Sequence, residues 1–585
     1  KKFHDIVVGE ILEIKAHPNA DKLRICMVDI GESEPVQIVC GGSNLYVGEY
    51  VVIAKPGAEV YWHGEPDLVK IKKTNMRGES SYGMICGAEE VYLENIFPAK
   101  SEDEIVDLKG IECKPGQNIA ELICMDDVVL EIDNKSLTNR PDLWGHYGIA
   151  RELSAIYNVP LKELPSIEID KNLPKYNVEI QVPEKCNRYA AIEIENVYDK
   201  ESPMWMKAAL INAGMRPISA IVDITNYVMM AVGQPLHAFD RTHVNGEKII
   251  VRNAKKDEEL LLLDNNTISL TEDDLVICDD TDAMALAGIR GGKKDSILPE
   301  TTGVVVEVAN FIASTIRKTG KRFDEKTDAS IRYEKNLDTE RVSQGIALAL
   351  QLFKEIFPES KVVAFNDVYP IKTQREVIDV SEEFLNVRLG KVLPRETIEK
   401  VLKALGYDVE YKDKVYHVVP VWRSTGDVSL KDDVMGDIAR LLSFESFEAK
   451  PLTVKFEHAV LQNKVLLEQR LKQYLAFRCG FNEIFTYPWI DEKYIDAAGV
   501  DKENSVKLAT PPSPSEAYLR ISLIPGMLEA ISKNLRYFDE FKLFEVAQAF
   551  EKGEYHESSE DETLPVHKKL LTASIVGKDA SKLFY

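Results

Sequence analysis

No two of the eight cysteines, at positions 26, 40, 86, 113, 124, 186, 278 and 479, stand as a C-x-x-C pair. That scatter argues against zinc ligation. It fits the reduced, mostly buried thiols of a cytoplasmic protein. A run of about 18 apolar residues is also missing, so no transmembrane helix is expected. The opening Phe3-His4-Asp5-Ile6-Val7-Val8 turns polar at Gly9-Glu10, too short an apolar stretch for a signal peptide. Positive charge is in deficit: 72 Lys and Arg stand against 96 Asp and Glu, a net charge of −24. Such a balance argues against a general nucleic-acid binder. It leaves RNA open, because charge more than about 10 Å away is screened and a local basic patch decides binding. Neither internal repeats nor low-complexity tracts occur. What remains is 585 residues, 45% hydrophobic and 29% charged, enough for about four globular domains.

Residues 1–118 are β-rich. Ile6-Val7-Val8, Arg24-Ile25-Cys26-Met27-Val28, Val36-Gln37-Ile38-Val39-Cys40 and Tyr50-Val51-Val52-Ile53-Ala54 are short strand-like runs punctuated by Gly, Pro, Asn and Asp, a spacing that suggests a barrel or sandwich. Pro141 and Asp142 suit a helix start, and Leu143, Tyr147, Ala150, Leu153 and Ile156 follow at helical spacing. His146 there reads as a capping residue. Val342, Ile346, Ala349, Leu350, Phe353 and Ile356 mark an amphipathic helix. Leu467, Leu471 and Tyr474 mark another, which Gly480 can end. The acidic stretch 551–562 reads as a surface loop.

Three places carry candidate chemistry. Residues 225–240 thread Thr225, Asn226, Gln234, His237 and Asp240 through an apolar run. Gly233-Gln234-Pro235 ends any helix, which places His237 on a turn facing a pocket. Glu307 interrupts the valine run 304–308. It is either a buried acceptor that needs a partner or the wet face of an edge strand. Asp433 and Asp437, four apart, share a helix face, and Asp427 precedes it. Three carboxylates could hold Mg²⁺, or they could be the acids that a helix N-terminus favours.

The run 223–240, with Ala285-Leu286-Ala287-Gly288, the Glu307 strand and Thr327-Asp328-Ala329-Ser330, resembles the editing module of the bacterial-type phenylalanyl-tRNA synthetase beta subunit. His17-Pro18-Asn19-Ala20-Asp21, Gly41-Gly42-Ser43-Asn44 and Met76-Arg77-Gly78 resemble the OB-fold tRNA-binding module of several synthetases. The implied architecture is multidomain α+β. It comprises an OB-fold β-barrel (1–118), a connecting helical segment (119–185), a central α+β editing module (186–358), a small winged-helix-like module (372–450) and a catalytically silent class II synthetase-like antiparallel sheet with helices (456–585). An N-terminal segment of tens of residues, the end of the class II-like module and an anticodon-binding domain belong to the family pattern and lie outside this sequence.

The resemblance also implies roles. Lys70, Lys72, Lys73 and Arg77 would meet tRNA phosphates. His237, Thr225 and Asn226 would position the ester and the attacking water, Glu307 would read the tyrosine hydroxyl, and Ala287 and Gly288 would shape the pocket floor. The chemical need is selectivity. An apolar phenylalanine pocket rejects an added hydroxyl only about 10²-fold, whereas a second site that hydrogen-bonds that hydroxyl can discriminate by roughly 10⁴. Arg290 stands where the family usually carries an apolar residue. The implied partners are an alpha subunit, in an α2β2 heterotetramer, and tRNA(Phe), with no membrane. ATP would be used by the complex and not bound by this chain, since Lys542-Leu543-Phe544-Glu545 is a poor version of the class II ATP-binding pair. Mg²⁺ would be held by Asp427, Asp433 and Asp437, with Gly436 where the family has a fourth acid. A stand-alone hydrolase of mischarged tRNA and a non-catalytic tRNA-binding scaffold are the rival readings.

Overall fold

Alternating Val and Ile build the N-terminal strands, because successive side chains point to opposite faces. In the computed structural model, Ile6–Ala16, Arg24–Asp29, Val36–Cys40, Tyr50–Ala54 and Met84–Ile85 form one five-stranded antiparallel sheet. The structure describes residues 3–62, 67–294, 296–423, 426–456, 460–557 and 563–579. The sheet coils until its edges, Val36–Cys40 and Met84–Ile85, approach each other, giving a near-closed barrel. Ile11, Val28, Ile38, Val51 and Ile53 fill its interior, while Ile6, Val8 and Val52 on the outer face pack against Val91, Leu93 and Ile119. A hairpin, Thr74–Met76 with Glu79–Ser81, projects from it and turns through Arg77 and Gly78, both at positive φ.

The centre of the chain packs two sheets. A four-stranded antiparallel sheet runs in the order Leu236–Asp240, Gly303–Phe311, Cys186–Glu195, Lys361–Val368. A five-stranded sheet holds Asn177–Ile180, Lys248–Asn253, Leu275–Cys278, Ala283–Leu286 and Arg290–Gly291. Asn177–Ile180 pairs in parallel with Lys248–Asn253, so a strand placed by sequence in the connecting segment is built into this sheet. One face of the four-stranded sheet, with Val305, Ala309 and Phe239, packs on Leu286, Ala287 and Ile289 of the other sheet. Its opposite face, with Val306, Val308 and Ala238, is covered by the helices Ala220–Val232 and Arg341–Ile356 through Ile224, Val228, Ile346 and Phe353.

Residues 378–444 add a three-stranded antiparallel sheet and the helices Glu382–Leu389, Arg395–Ala404 and Lys431–Leu441 around Val380, Leu402, Val418 and Ile438. All of these belong to one compact unit, residues 1–449.

The second unit, residues 450–585, is built on a long hairpin of Phe541–Glu557 and Thr563–Val576. Residues 551–557, expected as loop, instead belong to the strand: after an irregularity between Phe550 and Tyr555, 555–557 pair across to 563–565, while 558–562 lie outside the described residues. The helix Asn463–Gln473 buries none of its residues, and Leu467, Tyr474 and Phe477 stay open at 69%, 60% and 85% exposure. Among the described residues no helix is long and apolar enough to cross a membrane.

Candidate functional site

Strand order decides between the two readings of Glu307. Its strand has a neighbour on each side and is buried along its whole length. Glu307 is 5% exposed and faces the second sheet, and its Oε2 accepts the Tyr189 hydroxyl at 2.9 Å. It is the buried acceptor.

His237 lies directly opposite it in register, on the strand Leu236–Asp240 and not on a turn. The chain does break where expected: the helix Ala220–Val232 ends on Gly233 in the left-handed region. Directly after Pro235 begins the strand Leu236–Asp240, which stands last in its sheet. The half-buried His237 ring packs edge-on to Phe239 at 4.7 Å and lies over the Gly291 backbone, where an added Cβ would come within 2.7 Å of it. A Cβ added at Gly288, at φ +66°, would come within 2.9 Å of the Tyr333 ring and 3.0 Å of the Phe311 ring, and Ala287 is buried beside it. His237, Glu307, Ala287 and Gly288 thus share one interior.

Burial sets the protonation of this pair. It pushes the Glu307 carboxyl up to about 8, only partly offset by the Tyr189 hydroxyl, and brings His237 down to about 4. At neutral pH the imidazole is uncharged and the carboxyl is mostly so. The pair can exchange hydrogen bonds with a polar group without presenting a net charge.

Thr225 and Asn226 are placed otherwise. Their helix covers the opposite face of the sheet, and the Thr225 hydroxyl donates to the Val222 carbonyl at 2.7 Å. Among the described residues neither side chain is hydrogen-bonded to His237 or Glu307. Gln234, fully buried, donates to the carbonyls of Pro235 and Ala309 and so ties the helix end to the Glu307 strand. Thr327 and Ser330 form a capping box on the helix Asp328–Tyr333, and the Thr327 hydroxyl also holds the Ile289 carbonyl at 2.9 Å. Arg290 pairs with Asp264 and Glu325, pinning the turn that carries Ala287 and Gly288.

The three acids proposed for Mg²⁺ do not come together. Asp433 caps its own helix, accepting from the Ser429 and Leu430 N–H groups at 3.0 and 2.9 Å. Asp427 accepts from Arg423 at 2.6 Å and Asn139 at 3.0 Å. Asp437 accepts from Tyr407 at 2.7 Å, from Arg440 at 3.1 Å and from Arg423. Asp142 lies 4.0 Å from the same guanidinium. Burial disfavours the charged form of Asp437, and Arg423 outweighs it, holding the carboxyl below its usual range. A hard cation needs oxygen lone pairs that are free or hydrated. Here a guanidinium already takes them, and Gly436 offers no donor. Among the described residues no group of three or more His, Cys, Asp or Glu side chains could hold a metal ion. The donor set does not fit Mg²⁺. Helical spacing correctly put Asp433 and Asp437 on one helix, but it could not show that Arg423 reaches between the acids.

On the barrel, Lys70, Lys72, Lys73 and Arg77 are all exposed, and none forms an ion pair among the described residues. Lys73 sits 3.9 Å over the Tyr82 ring. The hairpin that carries Arg77 is buckled to the barrel by the His-Pro-Asn run. His17 Nε2 donates to Met76 O at 3.0 Å, its Nδ1 accepts the Asn19 N–H, and Asn19 donates to Arg77 O at 2.9 Å.

Comparison with known proteins covers the same segments. Family models match residues 6–117 as a tRNA binding domain, 185–358 as a B3/4 domain, 378–444 as a tRNA synthetase B5 domain and 450–584 as a phenylalanyl tRNA synthetase beta chain CLM domain. The phenylalanine–tRNA ligase beta subunit of Staphylococcus saprophyticus is 35% identical over 585 residues, spanning 99% of this chain and 71% of its own length. Those of Staphylococcus haemolyticus and Halalkalibacterium halodurans are 34% and 33% identical, over 94% and 98% of this chain and 68% and 70% of theirs. The chain belongs to the phenylalanine–tRNA ligase beta subunit family. A solved N-terminal fragment of the Pyrococcus horikoshii phenylalanyl-tRNA synthetase beta subunit covers 54% of this chain and 88% of its own at 14% identity, with a TM-score of 0.30, too slight a likeness to bear on the fold.

Family membership makes the chain a subunit of an aminoacyl-tRNA synthetase. In its 450–585 unit the residues weighed for ATP are spent internally. Glu545, 1% exposed, accepts from Arg520 at 3.1 Å and from the Thr486 N–H and hydroxyl, while Lys542 donates to the Cys479 carbonyl. Sequence reasoning did not single out Tyr189, the side chain that holds the Glu307 carboxyl. The available signal for Tyr189 was a lone polar-tipped aromatic in the strand Tyr189-Ala190-Ala191-Ile192, which needs a hydrogen-bond partner once buried.

Proposed function

We propose that this chain, as the beta subunit of a phenylalanine–tRNA ligase, binds tRNA(Phe) through its N-terminal OB-fold module and hydrolyses mischarged Tyr-tRNA(Phe) at the His237–Glu307 site. It thereby supports ATP-dependent charging at the site of an alpha subunit in an α2β2 assembly. The observation that carries this reading is a carboxyl buried in the middle of a valine strand, with a histidine directly across from it. A buried polar group aimed into an apolar interior stabilises a ligand only if that ligand brings a matching donor. A tyrosyl phenol does, and a phenylalanyl ring does not.

In this scheme Glu307 accepts the phenol O–H. His237, uncharged at neutral pH, holds the ester or the attacking water by hydrogen bonding. Ala287 and Gly288 form the floor. Thr225 and Asn226 serve as supports of the His237 strand and not as ester contacts. The exposed Lys70, Lys72, Lys73 and Arg77 engage phosphates. ATP is used by the complex and not by this chain, in keeping with the internal Arg520–Glu545 pairing. The exposed Leu467, Tyr474 and Phe477 offer apolar area to the alpha subunit.

The test is deacylation of preformed Tyr-tRNA(Phe) by the assembled enzyme carrying Glu307→Ala. Loss of a hydrogen bond to a mostly neutral carboxyl should slow it about two- to tenfold at neutral pH, with phenylalanine charging unchanged. A folded variant that clears Tyr-tRNA at the wild-type rate refutes the assignment.

A further inference from the structure

One buried polar side chain at the pocket has no task in this scheme. We propose that Tyr189 is the positioning residue for phenol selection: by holding one oxygen of the Glu307 carboxyl, it orients the other toward an incoming tyrosyl group. This rests on Glu307 being the phenol reader.

The strand pairing supplies the geometry. Ala191 lies opposite Glu307, and Tyr189 lies opposite Ala309, two residues along on the same face. The Tyr189 ring therefore spans the diagonal between the two strands, a reach open to aromatic side chains. Its hydroxyl ends 2.9 Å from Glu307 Oε2. On the other flank His237 is directly opposite and half-exposed. Glu307 thus has a fully buried side chain on one side and the partly exposed His237 on the other.

A carboxyl's last torsion is broad and nearly two-fold, so an untethered Glu307 would turn freely. One fixed hydrogen bond to Oε2 removes that freedom before a substrate arrives, which is preorganisation in the ordinary sense. The donor is itself a phenol. The interior already accommodates the phenol–carboxyl contact that the substrate would repeat at the second oxygen.

The other titratable groups around the carboxyl do not compete as charges. Burial holds the Cys186 thiol and the Tyr333 phenol protonated, as it does Tyr176 beside Tyr189. His237 is uncharged above about pH 4. The Tyr333 hydroxyl donates to the Ala309 carbonyl at 3.1 Å. Among the described residues Tyr189 is the side chain hydrogen-bonded to Glu307.

The experiment is a double-mutant cycle in the assembled enzyme with Tyr189→Phe, Glu307→Gln and both together, reading clearance of preformed Tyr-tRNA(Phe) from pH 6 to 9. Tyr189→Phe keeps the ring and the packing. It should slow clearance about two- to tenfold at neutral pH, the effect of one hydrogen bond to a mostly neutral carboxyl. An ionised Glu307 is the stronger acceptor for the phenol, so clearance should rise as it loses its proton, and Tyr189→Phe should move this rising limb of the pH profile upward, because the missing donor favoured the ionised carboxyl. Charging with phenylalanine should not change, and in the Glu307→Gln background the second substitution should slow clearance by less than it does in the wild type, because an amide whose oxygen is held by Tyr189 presents a donor, not an acceptor, to the phenol. If Glu307→Gln slows clearance while Tyr189→Phe leaves both rate and limb in place, the tyrosine is core packing and the proposal is overturned. Simple additivity of the two effects overturns it equally, since Tyr189 would then not act through Glu307. If Glu307→Gln itself clears Tyr-tRNA normally, the phenol reading has failed first and Tyr189 falls with it.

Discussion

Glu307 should make this protein less stable as the pH rises, and replacing it with glutamine should abolish that trend. In the unfolded chain its carboxyl ionises near the ordinary value of 4.5, whereas in the folded interior it keeps its proton to about 8. Between those two values the folded state binds more protons than the unfolded state, so stability falls with increasing pH. The sign is the reverse of that for a salt-bridged acid. At about 1.4 kcal/mol per pKa unit, the full span corresponds to at most about 5 kcal/mol. Local opening and water entry reduce the measured value below that ceiling. Glu307→Gln preserves shape and can still accept from Tyr189, but it cannot ionise. Thermal unfolding of wild type and variant, followed from pH 5 to 9, yields a difference curve in which every other titrating group cancels. The variant should gain on the wild type steadily up to about pH 8 and level off above it. A flat difference curve across this range would mean that the carboxyl is hydrated and titrates normally, and the buried-acceptor argument would fall with it.

Two further outcomes follow from the surface lysines and the arginine cluster. Changing Lys70, Lys72 and Lys73 to alanine should flatten the salt dependence of tRNA binding by about 0.9 log unit for each phosphate that is no longer neutralised, and somewhat less where the RNA is single-stranded; an unchanged slope would show that these side chains only solvate the barrel. Treatment of the chain with EDTA should leave its unfolding temperature where it was, whereas Arg423→Met, which removes the guanidinium shared by Asp427 and Asp437 and leaves Asp437 only its Arg440 pair, should cost about 3–5 kcal/mol; a chelator-sensitive wild type would restore the metal.

What is legible in the sequence is what one strand or one helix declares by itself. A carboxylate among valines announces a site, and a Gly-Gln-Pro run announces the end of a helix. The spacing of Val and Ile announces the barrel strands. What stays hidden depends on who stands beside whom. Whether Glu307 is wet or buried turns on its strand having two neighbours. Tyr189 reaches it only because Ala191 and Glu307 are in register, and no local pattern records a diagonal contact. The acids at 427, 433 and 437 look like ligands for the same reason: spacing along a helix is visible, while the reach of Arg423 from a preceding loop is not. Sequence puts His237 on a turn because proline reads as continuing a break, when the strand begins at the very next residue, Leu236. The stretch 551–557 reads as loop because its acidic composition says nothing of the strand that pairs with it.

The cross-strand pair of His237 and Glu307 has little charge at neutral pH, while the cationic side chains of Lys70, Lys72, Lys73 and Arg77 lie on the exposed surface. In the proposed scheme, arrival and judgement are thereby assigned to two kinds of force. Counter-ions can weaken the grip on a polyanion by crowding the lysines, but they have nothing to screen inside a neutral pocket. Ionic strength would then govern how often a tRNA is sampled and leave unaltered which amino acid is removed from it. Fidelity held in this way would not drift with the salt content of the medium, even as throughput does.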